Sequence, residues 1–221
     1  AGPEEAEVLE IGLKASFDRG SFNMAIFDQS IKGFQSNAFL GTGFALASAG
    51  EQSTKGVEFD LRFFPTESLE LTLAGTFLDP KYDSFERAGF IAQTGEFFSL
   101  TGRTPAGINE TTYSAGATYR FNLGDNDAYI RADYFYEDTV PIGDATPSPT
   151  TDTSRFTRDS RNLNMSAGLT TPEGLSFSLW ARNLTDHDSL ISAFPSVAQA
   201  GSFSGYRTQP RMYGVTVTKD F

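Results

Sequence analysis

The sequence has no cysteine, which excludes disulfide staples, thiol nucleophiles and thiolate metal sites from the start. It has one histidine, His187, and a single imidazole cannot build the multi-histidine centres of most zinc and iron enzymes. Basic residues are scarce: 17 lysines and arginines against 28 acidic side chains give a formal charge of -11, which disfavours a nucleic-acid partner. No apolar run approaches the roughly 18 residues of a spanning helix, and Ala1 to Glu10 has neither the basic nor the apolar region of a signal peptide. What remains is a soluble domain or a chain that crosses a membrane as strands.

What the sequence does have is alternation. Leu9, Ile11, Leu13, Ala15 and Phe17 alternate with Glu10, Gly12, Lys14 and Ser16, the period of a strand. Asp18-Arg19-Gly20 then turns the chain, and Phe22, Met24 and Ile26 return. A second hairpin sets Val57, Phe59, Leu61 and Phe63 against Gly56, Glu58, Asp60 and Arg62, turns at Pro65–Ser68, and continues through Leu69, Leu71 and Leu73. A third carries Tyr113 to Phe121 and Ile130 to Tyr136, with Arg120, Arg131 and Asp133 on its polar face. The fourth joins Leu163–Leu169 to Leu175–Ala181 across Thr171-Pro172-Glu173-Gly174, and Arg211–Phe221 makes a last strand. The pattern predicts nine strands of roughly 10 residues, the length that crosses a bilayer at a tilt.

Short turns alternate with long segments at 35–53, 79–110, 137–160 and 185–206, and these four segments hold 8 of the 11 net negative charges. Such alternation is expected of a transmembrane barrel with brief turns on one side and long loops on the other. Phe17, Phe63, Tyr113, Phe121, Tyr134, Tyr136, Tyr213 and Phe221 fall toward strand ends, where a bilayer interface collects aromatic girdles. A soluble β-sandwich also alternates, with its apolar face inward, and is the competing architecture. In a barrel Leu71 faces lipid and Thr72 the lumen, and Lys219, on the apolar face of the last strand, reaches the headgroups.

Two groups of residues suggest chemistry and also have plain readings. Asp186-His187-Asp188-Ser189 places an imidazole between carboxylates and a hydroxyl, but sequence neighbours rarely form a catalytic triad, so a solvated loop is expected. Glu51, Asp79, Asp83, Glu137, Asp138, Asp144 and Asp152 lack the spacing of a calcium loop and read as solvated loop charges. No catalytic, metal or cofactor site is expected.

Several local strings, in this order, resemble the C-terminal part of a TonB-dependent outer-membrane receptor: Glu10-Ile11-Gly12-Leu13-Lys14, Phe34-Gln35, Gly56-Val57-Glu58, Asn183-Leu184-Thr185-Asp186 and Pro210-Arg211-Met212-Tyr213-Gly214, with a terminal Phe221. The resemblance implies about nine strands of a 22-stranded barrel in the outer membrane of a Gram-negative cell, covering residues 1–221. It also implies energy-coupled import of a scarce nutrient such as a siderophore-type iron chelate. A receptor of that kind has an N-terminal plug, further barrel strands and a TonB-coupling segment; none is recognisable here, so the chain reads as a portion of a longer protein. Its expected partners are lipid, those strands, the plug, TonB and a small-molecule ligand.

On the same resemblance, Glu58, Asp60, Arg62, Glu70, Arg120, Arg131, Asp133, Trp180 and Arg182 would line the lumen and meet the plug. Ligand capture would fall to loop residues Arg87, Phe97, Arg103, Arg155, Phe156, Phe203, Tyr206 and Arg207, cations beside aromatic platforms. The same rings, with Phe85, Phe90, Phe98 and Phe194, would serve equally to pack the loops against each other. A passive porin or adhesin barrel, and a barrel enzyme using His187, are the alternatives in function.

Overall fold

The computed structural model describes residues 2–39, 44–48, 50–91, 94–146, 152–196, 198–199 and 201–220. It is all β, with no helix among the described residues. Fifteen strands follow one another: β1 (Glu5–Phe17), β2 (Gly20–Lys32), β3 (Gln35–Phe39), β4 (Phe44–Ser48), β5 (Glu51–Phe63), β6 (Leu69–Ser84), β7 (Gly89–Ile91), β8 (Glu96–Phe98), β9 (Thr111–Leu123), β10 (Asn126–Pro141), β11 (Thr157–Thr170), β12 (Leu175–Arg182), β13 (Leu190–Pro195), β14 (Phe203–Arg207) and β15 (Met212–Lys219). Nine of them form one antiparallel sheet in the order β1-β2-β5-β6-β9-β10-β11-β12-β15, so sequence neighbours are spatial neighbours throughout. These are the nine strands expected from the alternation. The other six pair off as β3-β4, β7-β8 and β13-β14.

Those three hairpins correct the reading of the long segments as loops. Strand structure also runs further than the apolar period marks it, since β6 continues to Ser84 and β10 to Pro141. Residues such as Asp79, Asp83, Glu137 and Asp138 therefore sit in strands. Their polarity hid the continuation, because above the lipid belt the outward face of β6 changes from apolar to charged at Asp79, Lys81 and Asp83, while Pro80 and Tyr82 are buried on the other face. Phe221 lies outside the described residues.

One face of the sheet carries large apolar side chains in the open: Ile11 is 74% exposed, Leu179 63% and Tyr213 79%. A sandwich would cover them with a second sheet, and none lies over this face among the described residues. The register shows how the apolar face is laid out. Phe17 pairs with Gly20, and the same level passes through Phe63, Leu71, Ala117, Ala132, Met165 and Ala181 to Tyr213. The bottom of the apolar band in β1 is thus level with its top in β15. Taking the band's top from Leu9 to Tyr213, it falls by eight residues, roughly 26 Å, across about 38 Å of sheet, a slant of about 35°. Barrel strands cross a bilayer tilted at about 35–45°, and an apolar belt parallel to the membrane must drift across the register in this way.

Charge marks the upper edge of the belt. Asp28 pairs with Lys55 and Lys55 with Asp79 at the level of Leu9, with Lys55 Nζ 3.2 Å from Asp28 Oδ2. Below that edge Tyr113 stacks on Tyr136 at 4.7 Å and lies 6.1 Å from Tyr134. At the opposite end Phe17 meets Phe63 at 6.3 Å and Tyr119 meets Phe121 at 5.6 Å. Both aromatic girdles are present. The Lys219 ammonium donates to the Glu173 carbonyl in the adjoining turn at the end of the sheet.

On the other face the sheet is lined by the charged and small residues of the alternation. Aromatic rings lie against it where the residue beneath is glycine, among them Tyr129 over Gly168 and Trp180 over Gly214. Toward the upper end this face turns apolar. Leu78, Pro80 and Tyr82 follow one another there on β6, and the segment after β6 folds back over them.

Candidate functional site

The long connections at the upper end form a packed structure with its own core. Tyr82, Phe85, Ala88 and Leu100 are buried together, and Phe34 and Phe98 pack against them. Main-chain bonds hold the fold-back: Leu100 N–H donates to Phe85 O at 2.9 Å and Gly102 N–H to Tyr82 O at 2.7 Å. Phe85, among the rings offered either for ligand or for packing, is 2% exposed and packs.

Asp144 ties this core to the next connection. Its carboxylate accepts from the Tyr82 hydroxyl at 3.3 Å and from Ala106 N–H at 3.0 Å. Burial pushes its carboxyl above the usual carboxylate range, against the lowering effect of those two bonds and of the Arg103 charge. The expectation of a solvated Asp144 is therefore corrected. Arg158 works from the other side, donating through Nη2 to Gly107 O at 2.8 Å and Asn109 Oδ1 at 3.1 Å, while Asn109 donates to Asp138 O at 2.7 Å. The bracing roles of Asp144 and Arg158 could not be read from sequence, since a lone charge in a polar segment looks the same whether it is half-buried or solvated.

The loop candidates fall into separate places. Arg87 lies 3.9 Å above the Phe97 ring on the β7-β8 hairpin, with Phe97 half exposed. Arg155 covers Phe156 at 4.9 Å and Phe203 at 4.3 Å, joining the β10-β11 connection to the β13-β14 hairpin. Tyr206 stands exposed beside Phe194, Arg207 is bonded to Asp188, and Arg103 lies exposed in the connection that holds Ala106.

The lumen candidates form connected groups. Glu70 is gripped by Arg62 at 2.8 Å and Arg120 at 3.1 Å, and its own side chain is only 14% exposed. Arg131 pairs with Asp133 at 2.7 Å, and Asp60 accepts two bonds from Asn23 at 2.9 and 3.1 Å. Glu58 has no ion-pair partner among the described residues. Trp180 donates to Thr216 Oγ1 at 3.2 Å and carries the Arg182 guanidinium 5.3 Å from its ring.

Asn183-Leu184-Thr185-Asp186 and Pro210-Arg211 turn out to be two halves of one clasp at the upper ends of β12 and β15. Asn183, with φ +49°, is 4% exposed. Its side chain donates to His187 O at 2.8 Å and Gln209 O at 3.0 Å and accepts from His187 N–H at 2.9 Å. Asp186, with φ +56°, accepts from Arg211 N–H at 2.9 Å. The string was visible in sequence; its function as a clasp was not.

His187 is part of the same knot and not of a solvated loop. Its Nε2 lies 3.1 Å from Asp159 Oδ1, and the Ser189 hydroxyl accepts from Asp159 N–H at 3.0 Å, so imidazole and hydroxyl serve Asp159 and not each other. His187→Ala is expected to change the activity of the complete protein by less than about twofold, with a small stability loss of the order of one partly exposed hydrogen bond. A loss of activity beyond tenfold with the fold intact would return the imidazole to chemistry.

The geometry defines a class: the wall of a membrane-spanning barrel, apolar outside, charged inside, with short turns at one end and packed connections at the other. A family model described as the β-barrel of TonB dependent receptor-like proteins matches residues 2–184, and the chain belongs to that family. The family is one of outer-membrane transport receptors, not of enzymes.

No curated protein matches. Among solved structures, the ferric preacinetobactin receptor from Acinetobacter baumannii is similar with a TM-score of 0.69 at 17% identity, over 99% of this chain and 30% of that one. The ferric yersiniabactin uptake receptor from Yersinia pestis gives 0.75 at 14%, over 99% and 30%, and the outer-membrane ferripyoverdine receptor of Pseudomonas aeruginosa 0.71 at 15%, over 99% and 27%. At such identities the likeness speaks for the fold. The chain spans about 30% of the length of these receptors.

Proposed function

We propose that residues 1–221 are the C-terminal portion of the barrel of an outer-membrane receptor that captures a siderophore-type metal chelate and imports it with energy relayed through TonB. The observation that carries this reading is the two-faced, slanted nine-stranded wall joined to packed upper connections, in a chain of this family. Strands β1 and β15 each pair on one side only, and further barrel strands would satisfy their open edges, as a bilayer demands. The Arg62–Glu70–Arg120 group ties β5, β6 and β9 together and Arg131 pairs with Asp133 along β10, and these arginines, more than half exposed, are open to a polypeptide filling the lumen. Arg87 with Phe97, and Arg155 with Phe156 and Phe203, offer cation and ring surfaces to an anionic, aromatic-bearing chelate.

Tight capture has to be reversed by work, so import should stop when the inner-membrane proton gradient is collapsed. Uptake of ferric chelate by cells relying on the complete protein is therefore expected to fall to background with an uncoupler, while surface binding persists. Uptake that continues unchanged would favour the passive porin instead.

A further inference from the structure

The outward face of the wall is not even. High in its apolar band, where the strands leave lipid, a groove of about 700 Å³ is sunk into it. One level of the register crosses the groove, through Ile11, Ile26, Val57, Phe77 and Thr111 on five neighbouring strands. Val57 and Thr111 are the short side chains of that row, and Phe77 between them stacks on Phe59 with ring centroids 6.3 Å apart. The floor is therefore lowest at Val57, with Ile26 on one side and Phe77 on the other, the form of a channel for a hydrocarbon chain.

The mouth of the groove is polar and alternates in sign. Asp28, Lys55 and Asp79 stand side by side on β2, β5 and β6 at strand spacing, roughly 5 Å apart, and Glu110 adds a further carboxylate. Lys55 lies 3.2 Å from Asp28, whereas Asp79 and Glu110 have no ion-pair partner among the described residues. A carboxylate at the edge of lipid is costly without a donor. Three acids against one ammonium repel an anionic head group, and a cationic one would meet Lys55. A hydroxyl suits both, since it donates to a carboxylate and accepts from an ammonium. We propose that this groove binds one sugar-headed lipid, its chain over Val57 and its hydroxyls donating to Asp79 and Glu110 while accepting from Lys55. The site requires the outward face to meet lipid and makes no use of energised import, so its test and the uptake test fail separately.

The complete protein, carried in a polyoxyethylene detergent, is titrated with dodecyl maltoside, dodecylphosphocholine and dodecylamine, amphiphiles of one chain length, and the molecules retained on the folded barrel are counted by native mass spectrometry. One dodecyl maltoside per chain is expected to be retained, at concentrations about tenfold or more below those the other two require. Val57→Phe fills the floor with an apolar group and Asp79→Ala removes an acceptor at the mouth, and each should weaken that retention by about tenfold or more. Val215→Phe, the same added bulk on β15 of the same face, should leave it unchanged. Equal retention of the three amphiphiles overturns the proposal, because it reports unselective wetting of the apolar face. Preference for dodecylamine or dodecylphosphocholine, retention indifferent to both Val57→Phe and Asp79→Ala, or an equal fall in Val215→Phe overturns it as well. The head-group ranking is measured on the unaltered protein, so it decides even where a variant fails to assemble.

Discussion

Leu73→Arg is expected to lower the stability of the complete barrel in lipid by about 2 to 4 kcal/mol, the cost of a guanidinium near the bilayer midplane. Leu73 sits halfway along the apolar stretch of β6, between Leu69 at the turn and Phe77 below the Asp79 level, and it pairs with Leu61 and Ala115. Leu71 is only two residues from the start of the strand, close to the interface where an arginine reaches headgroups cheaply, so it is the weaker probe. Thr72 is a poor control because it pairs with Arg62 across the lumen face, and a second arginine there adds repulsion. Ala74→Arg is better: Ala74 pairs with Asp60 and lines a lumen cavity of about 550 Å³ together with Glu58. Its cost should be far below that of Leu73→Arg in a denaturant titration in vesicles. Equal costs, or the reverse order, would mean that the apolar face is not the lipid face.

Asn183→Ala is expected to cost about 3 kcal/mol, an unusual loss for one small polar side chain. The substitution strands the part-buried His187 N–H, His187 O and Gln209 O that the buried Asn183 side chain pairs, and each main-chain group left unpaired costs up to about 1 to 3 kcal/mol where water cannot take its place. It also places alanine in the left-handed region that asparagine tolerates. Asn183→Gly removes that second penalty but not the first, so it should fall between wild type and alanine. Hydrogen exchange resolves the mechanism: protection should drop first at the upper ends of β12 and β15, around Arg182 and Met212, with β1 and β2 unchanged. A loss below about 1 kcal/mol, or one spread evenly over the sheet, would remove the clasp from the account.

The parts of the fold that were legible are those where one physical demand repeats. Lipid asks for an apolar residue at every second position, so Leu9 to Phe17, or Leu163 to Leu169, announce both strand and face. The β3-β4, β7-β8 and β13-β14 hairpins answer to no such demand. Water and neighbouring connections surround them, and segments such as Gly89–Ile91 are too short to show a period. The candidate site was half legible for a related reason. Charges such as Arg62 and Asp133 stood out because they alternate with lipid-facing residues, while Asp144 and Arg158 owe their half-buried places to partners far away in the chain, Tyr82 and Gly107. The slant of the apolar band exists only in the pairing between strands and is invisible along any one of them.

The rings lying on glycine bear on the relief of the lumen face. A β-carbon at position 214 would come within 2.4 Å of Trp180, and one at 168 within 2.3 Å of Tyr129, so any larger residue must lift the ring off the wall. With glycine beneath, the indole and the phenol present their faces to the interior and not their lengths. At these two positions the wall therefore carries a ring that adds its thickness to the lumen face and not its length.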